Sequence, residues 1–190
     1  MTTKAAEPIV LTIGHSNRAL GDFVGMLKAH GVELLVDIRT VPRSRRNPDF
    51  NVDALPMSLN AVGIDHVHMS ALGGLRHPRP NSPNKGWQNS SFQGYADYMQ
   101  TPEFDDAVES LIEMARSKRL TVMCAEAVPW RCHRSLLSDA LTVRGITVEH
   151  IMTTARRQQH SLTPFAKVDG TGLTYPLPIK EEGGALTLGD

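Results

Sequence analysis

Five short apolar runs, at residues 8–13, 34–38, 64–69, 120–123 and 147–152, alternate with stretches whose apolar residues recur at helical spacing. No other feature of the chain restricts its fold as much. Runs of this length read as buried strands, and strands separated by helical stretches pair in parallel through crossover connections. The expected class is therefore α/β: a three-layer α/β/α domain around a mostly parallel sheet of about five strands. Strand order is not written in such a pattern.

Leu20, Phe23, Leu27 and His30 trace one face of a first helix stopped by Gly31, and Asn51 is placed to cap a second carrying Leu55, Leu59 and Val62, with Pro56 in its first turn. Residues 95–99 suggest a helical turn. Thr101-Pro102 then opens a helix with Phe104, Val108, Leu111, Ile112 and Ala115 on its apolar face and Arg116, Lys118 and Arg119 at its end. A last helix is expected over 132–144, with Gly145 as its stop. Beyond residue 152 no period is sustained. The expected organisation is one domain over 1–152 and a tail over 153–190, docked through Phe165 and Tyr175 and frayed at its end.

With 41% hydrophobic residues in 190 the chain can bury one sizeable core, and 20 basic residues against 20 acidic ones leave no net charge to draw nucleic acid or membrane. The first residues hold no basic segment followed by a long apolar one, so a cytoplasmic location and no membrane partner are expected. Two cysteines make no disulfide framework. They are expected as thiols, as metal ligands or as a reversible Cys124–Cys132 disulfide.

The chemistry gathers in residues 120–135, LTVMCAEAVPWRCHRS, where a strand gives way to a helix. In parallel α/β sheets the crevice at the carboxyl ends of the strands is where ligands bind. The turn 14–18 and the segments 37–46, 72–76 and 124–134 all follow strands, so four polar loops should share one rim.

Five ordered motifs carry a resemblance. They are Ile13-Gly14-His15-Ser16; Asp37-Ile38-Arg39 running to Pro48-x-Phe50; Leu72-Gly73-Gly74; Tyr95-x-x-Tyr98-Met99-x-Thr101; and Cys124-Ala125-Glu126 followed by Cys132-His133-Arg134. Together, over residues 9–152, they resemble the bacterial domain-of-unknown-function 488 family (DUF488). The resemblance implies a cytoplasmic α/β protein with a site at these residues, and it brings no established reaction.

Read from the residues, Cys132 is the nucleophile candidate, because a thiol at a helix start beside His133, Arg131 and Arg134 should ionise readily; burial in the core is the alternative. Cys124 is expected in the core, or as a second thiol. Glu126 and Asp37 suit a general base or an orienter of His15, or a salt bridge to Arg39 or Arg134. Ser16 and Arg39, Arg43 and Arg134 are candidate anion holders, with Gly73, Gly74 and Arg76 as secondary members of the rim. Cys124, Cys132, His133 and His15 are the one converging ligand set, but they lack zinc spacing, so no metal is assigned. No motif specifies a cofactor, and no dinucleotide fingerprint is present.

The expected function is a hydrolytic or group-transfer enzyme acting on a phosphate-bearing or nucleobase-containing small molecule. The alternatives are a nucleic-acid-binding protein gripping through Arg43, Arg45, Arg46, Arg156 and Arg157, with Trp87, Phe92 and Tyr95 as a stacking surface, and a thiol redox or metal sensor.

Overall fold

The strands form because their side chains are apolar on both sides. In the computed structural model, which describes residues 8–178, β1 (Ile9–Gly14), β2 (Leu34–Asp37) and β4 (Leu120–Cys124) are buried along nearly their whole length. Alternation then divides them between two cores. Leu11, Ile13, Leu35 and Met123 pack under α1 (Leu20–Ala29) and α2 (Leu55–Asn60) with Phe23, Leu27, Phe50 and Leu59. Val10, Leu34, Val36, Leu120, Val122 and Cys124 pack on the opposite face, under α3 (Ser90–Tyr98), α4 (Pro102–Ser117) and α5 (Arg134–Thr142). This is the expected three-layer α/β/α sandwich.

The sheet has six strands in the order β3-β2-β4-β1-β5-β6, with β3 at Asp65–His68, β5 at Thr147–Ile151 and β6 at Arg157–Gln159. The first five are parallel. The sixth runs antiparallel to β5 and lies in the stretch read from sequence as tail. That stretch also supplies a hairpin, β7 (Lys167–Asp169) with β8 (Gly172–Thr174), and it buries Tyr175 completely. Strands of three residues, with β6 and β7 exposed throughout, carry no period for a sequence reading to find. The end of the expected tail, like the first residues, lies outside the described residues.

Three helix boundaries differ from expectation. α3 begins at Ser90 rather than near residue 95, because the Asn89 side chain accepts from the Ser91 and Phe92 amides and caps it. α5 begins at Arg134, leaving Cys132 and His133 in the connection. Asn51 does not cap α2 with its side chain, which instead accepts from Ser44 N at 2.6 Å. Among the described residues no helix is long and apolar enough to cross a membrane.

The topology creates the site. β1 connects through α1 to β2, crossing β4 on one face, whereas β4 connects through α5 to β5, crossing β1 on the other. The chain therefore departs in opposite directions from the adjacent carboxyl ends of β1 and β4, which opens a crevice between them.

Candidate active site

The crevice is held open by close backbone contact. Beyond the last paired residues, Gly14 and Cys124, His15 N donates to Cys124 O at 3.0 Å and Ser16 N to Ala125 O at 2.8 Å. A Cβ on Gly14 would stand 1.7 Å from Glu126 O, so only glycine permits the two segments to run this close. Ser16 completes the turn with a φ of 49°, and the Arg18 guanidinium closes it by donating to Gly14 O.

His15 is buried and stacks on Phe50 at 4.5 Å between ring centroids. Its Nδ1 donates to Ser16 O at 2.8 Å, which leaves Nε2 to accept from Arg39 Nη1 at 3.3 Å. That pattern suits a neutral ring, and burial together with the Arg39 charge lowers its pKa. Arg39 is itself committed: Nε and Nη2 clamp the Asp37 carboxylate, at 2.9 and 2.6 Å, and Nη2 also donates to Phe50 O. The structure thus takes the salt-bridge alternative. Asp37, 1% exposed, anchors Arg39, and Arg39 joins the turn 14–16 to the loop 39–50; its role as an anion holder shrinks to the Nη1 edge.

A cavity of about 380 Å³ lies above this strut, walled by His15, Arg39, Thr40, Arg43, Ser44, Gly74, Glu126, Cys124, Cys132 and His133. The four rim segments meet as their positions after strands predict. Ser16 faces an adjoining hollow with Arg18, Arg46 and Asn47, sharing His15, Ser44 and Glu126 with the first. Gly74 lies against the His133 ring, where a Cβ would be 2.4 Å from Nδ1, and Gly73 packs on Thr40 behind the wall. Arg76 turns away to Gly73 O, Ala71 O and the Tyr98 ring, 3.6 Å below its guanidinium carbon. It is no part of the cavity.

The two thiols stand together. Cys124 and Cys132 are 2% and 4% exposed, both free, and both line the cavity wall. Cys132 Sγ also accepts from Arg134 N, the start of α5, at 3.5 Å. Cys132 takes the buried alternative. Its thiol is pushed well above the ordinary value by the neighbouring Cys124 and by burial, whereas Cys124 is pulled down by Cys132 and further by the Arg134 charge. Cys124 is therefore the more acidic of the pair. His133 adds no charge, since burial and then Arg134 lower its pKa to about 4.

Arg134 does not touch the cavity. It is 1% exposed, and its Nη2 donates to Glu126 O at 2.9 Å and Ala127 O at 3.2 Å, holding the loop after β4. No carboxylate pairs with it among the described residues. A guanidinium buried without a counter-ion is costly, and its charge favours the ionised form of both thiols. Glu126 is exposed on the wall, and Arg43 is exposed at the mouth with no side-chain partner among the described residues. Trp87 and Tyr95, read as stacking residues, sit instead in an aromatic cluster with Phe92, Phe165 and Tyr175 and around Phe104.

Sequence reasoning missed Phe50 as the floor under His15, and it missed a buried polar chain behind the sheet. His160 Nε2 donates to Asp139 Oδ1 at 2.8 Å, so His160 Nδ1 accepts from His150 Nε2 at 3.1 Å and His150 Nδ1 from Thr12 Oγ1 at 2.7 Å, while Tyr175 donates to Asp139 Oδ2 at 2.8 Å. Its members are scattered over residues 12–175, and nothing local joins them.

No group of three or more ligating side chains is placed to hold a metal among the described residues. A family model described as Domain of unknown function DUF488 matches residues 19–141. No curated protein and no solved structure matches the chain. The matched span begins just after the His15 turn, runs through the Arg39 loop, both glycines of the wall and both cysteines, and ends within α5. With more than half its length and most of its cavity inside that match, the chain belongs to the DUF488 family.

Proposed function

We propose that this protein is a thiol-dependent hydrolase or transferase for a small phosphate-bearing molecule, working in a reducing compartment such as the cytoplasm. One observation carries the reading: two free thiols line the wall of the rim cavity, beside a buried guanidinium that no carboxylate pairs with among the described residues. The neighbouring Cys132 and then the Arg134 charge lower the pKa of Cys124, which in this reading is the thiol that ionises.

In this reading Arg43 and the remaining Nη1 edge of Arg39 receive the phosphate, since guanidinium groups bond its oxygens in pairs. The Cys124 thiolate attacks the electrophilic centre, a bond forms to sulfur, and the leaving group departs with the bonding electrons. Water then cleaves the sulfur bond with Glu126 taking its proton, the thiolate returns, and the proton passes to the leaving group through solvent. His15 is a positioning residue, fixed by Arg39 and Phe50. A nucleic-acid grip is less well supported, because Arg157 is engaged by Glu149 at 3.0 Å and the aromatic side chains meant for stacking pack against other aromatic rings of the fold.

A thermal-shift screen of nucleotides and phosphorylated metabolites tests the reading. At least one ligand should raise Tm by a few degrees in the wild type and in Cys124→Ser, with affinity reduced about tenfold in Arg43→Ala. If no phosphorylated ligand stabilises the chain, or if Arg43→Ala binds every hit as the wild type does, the reading is wrong.

A further inference from the structure

Cys124 shares its cavity wall with a second free thiol, Cys132, and the two are held on separate supports. Cys132 sits in the connection before α5, with Sγ fixed by Arg134 N, while Cys124 ends a fully buried strand. Simple nucleophilic turnover has no use for a second thiol at the same wall. Two thiols lining one cavity supply what thiol–disulfide exchange requires: an attacking sulfur and a resolving one.

We propose that the pair exchanges with small anionic disulfides, entering the same cavity, so that the protein is also a dithiol–disulfide oxidoreductase. The proposal rests on the thiolate assigned to Cys124 above. The Cys124 thiolate attacks one sulfur of the small disulfide R–S–S–R, forming Cys124–S–S–R and releasing RS⁻. Cys132 then loses its proton to that departing thiolate and attacks Cys124 sulfur, closing Cys124–S–S–Cys132 and releasing a second RS⁻, which takes a proton from solvent. The protein is oxidised by two electrons and the small disulfide is reduced to two thiols.

Charge selects the substrate. Arg43 stands exposed at the mouth and Arg39 Nη1 at the floor, so a carboxylate on the small disulfide has a cation to meet, and about 380 Å³ admits a molecule far larger than a peroxide.

The test uses the full reduced chain with dithiodiglycolate and with neutral 2-hydroxyethyl disulfide of similar size, followed by thiol titration and intact mass. Both thiols should disappear together, with the loss of two hydrogens and no retained adduct. The anionic reagent should react about tenfold faster at low salt, and Arg43→Ala should abolish that preference. Cys132→Ser should stop at the mixed disulfide, and a urea transition resembling the wild type's shows that this variant is folded. Stable adducts on the wild type, or closure by hydrogen peroxide when neither disulfide reacts, would overturn the proposal. Iodoacetamide modification in parallel separates the two readings. Cys124 alkylation that persists when the disulfides fail sinks the exchange and spares the thiolate, whereas loss of both sinks both.

Discussion

Lowering the pH from 6.5 to 4.5 is expected to remove about 5 kcal/mol of stability, much of the 5–15 kcal/mol typical of a domain. The cause lies in two histidines that the fold keeps neutral. Burial, then the neighbouring His160 and Arg134, lower His150 to about 3, and burial, then Arg134, lower His133 to about 4. In the unfolded chain each titrates near 6.5. The unfolded state therefore binds protons that the folded state refuses. Stability from this source is intact above pH 6.5 and is lost as pH falls toward 4, at about 1.4 kcal/mol per pH unit for each ring. For His150 the geometry gives the same answer, because its two nitrogens already serve Thr12 and His160. Urea unfolding at a series of pH values measures the slope. His150→Gln should weaken the fold at pH 7 and flatten the acid slope by about half, whereas a stability unchanged from pH 7 to 4.5 would show that both rings protonate freely in the folded state.

Gly14→Ala is expected to cost about 3 kcal/mol or more. The added methyl would lie 1.7 Å from Glu126 O and 2.6 Å from its carbonyl carbon, which are backbone atoms and cannot rotate aside. Relief requires the end of β1 to part from the loop after β4, which also separates His15 from Cys124 O. Gly25→Ala serves as the control. It lies inside α1, a Cβ there meets nothing within 4 Å, and the substitution should stabilise by about 0.5–1 kcal/mol. Denaturant midpoints for the two variants should thus move in opposite directions. A Gly14→Ala protein as stable as the wild type would mean that the two segments do not touch.

The layers and the rim were legible because they follow from one-dimensional signals. Leu34-Leu35-Val36 is apolar without interruption, so it reads as a strand covered on both faces, and loops after parallel strands must share an edge. The same logic gathered His15, Arg39, Gly74, Glu126 and the cysteines round one cavity. Individual roles were less legible. Arg39 and Arg43 are four residues apart in a single loop, yet one is clamped by Asp37 and the other is exposed. Only the path of the loop decides between them. Cys132 looked acidic from its basic neighbours, but the second thiol, eight positions earlier, and burial push its pKa up instead. β6 escaped because three exposed residues carry no pattern, and although Tyr175 was read as a docking residue, its partners Asp139 and Asn84 come together with it only in the fold.

The account stands on an ionised thiol paired with Arg134, and the pH dependence of iodoacetamide alkylation, with the modified residue identified by peptide mapping, probes it directly. The account predicts modification at Cys124 ahead of Cys132, with an inflection below the free-cysteine value of about 8.5 that rises in Arg134→Met. An inflection at or above that value in the wild type, or equal labelling of the two thiols, would contradict it.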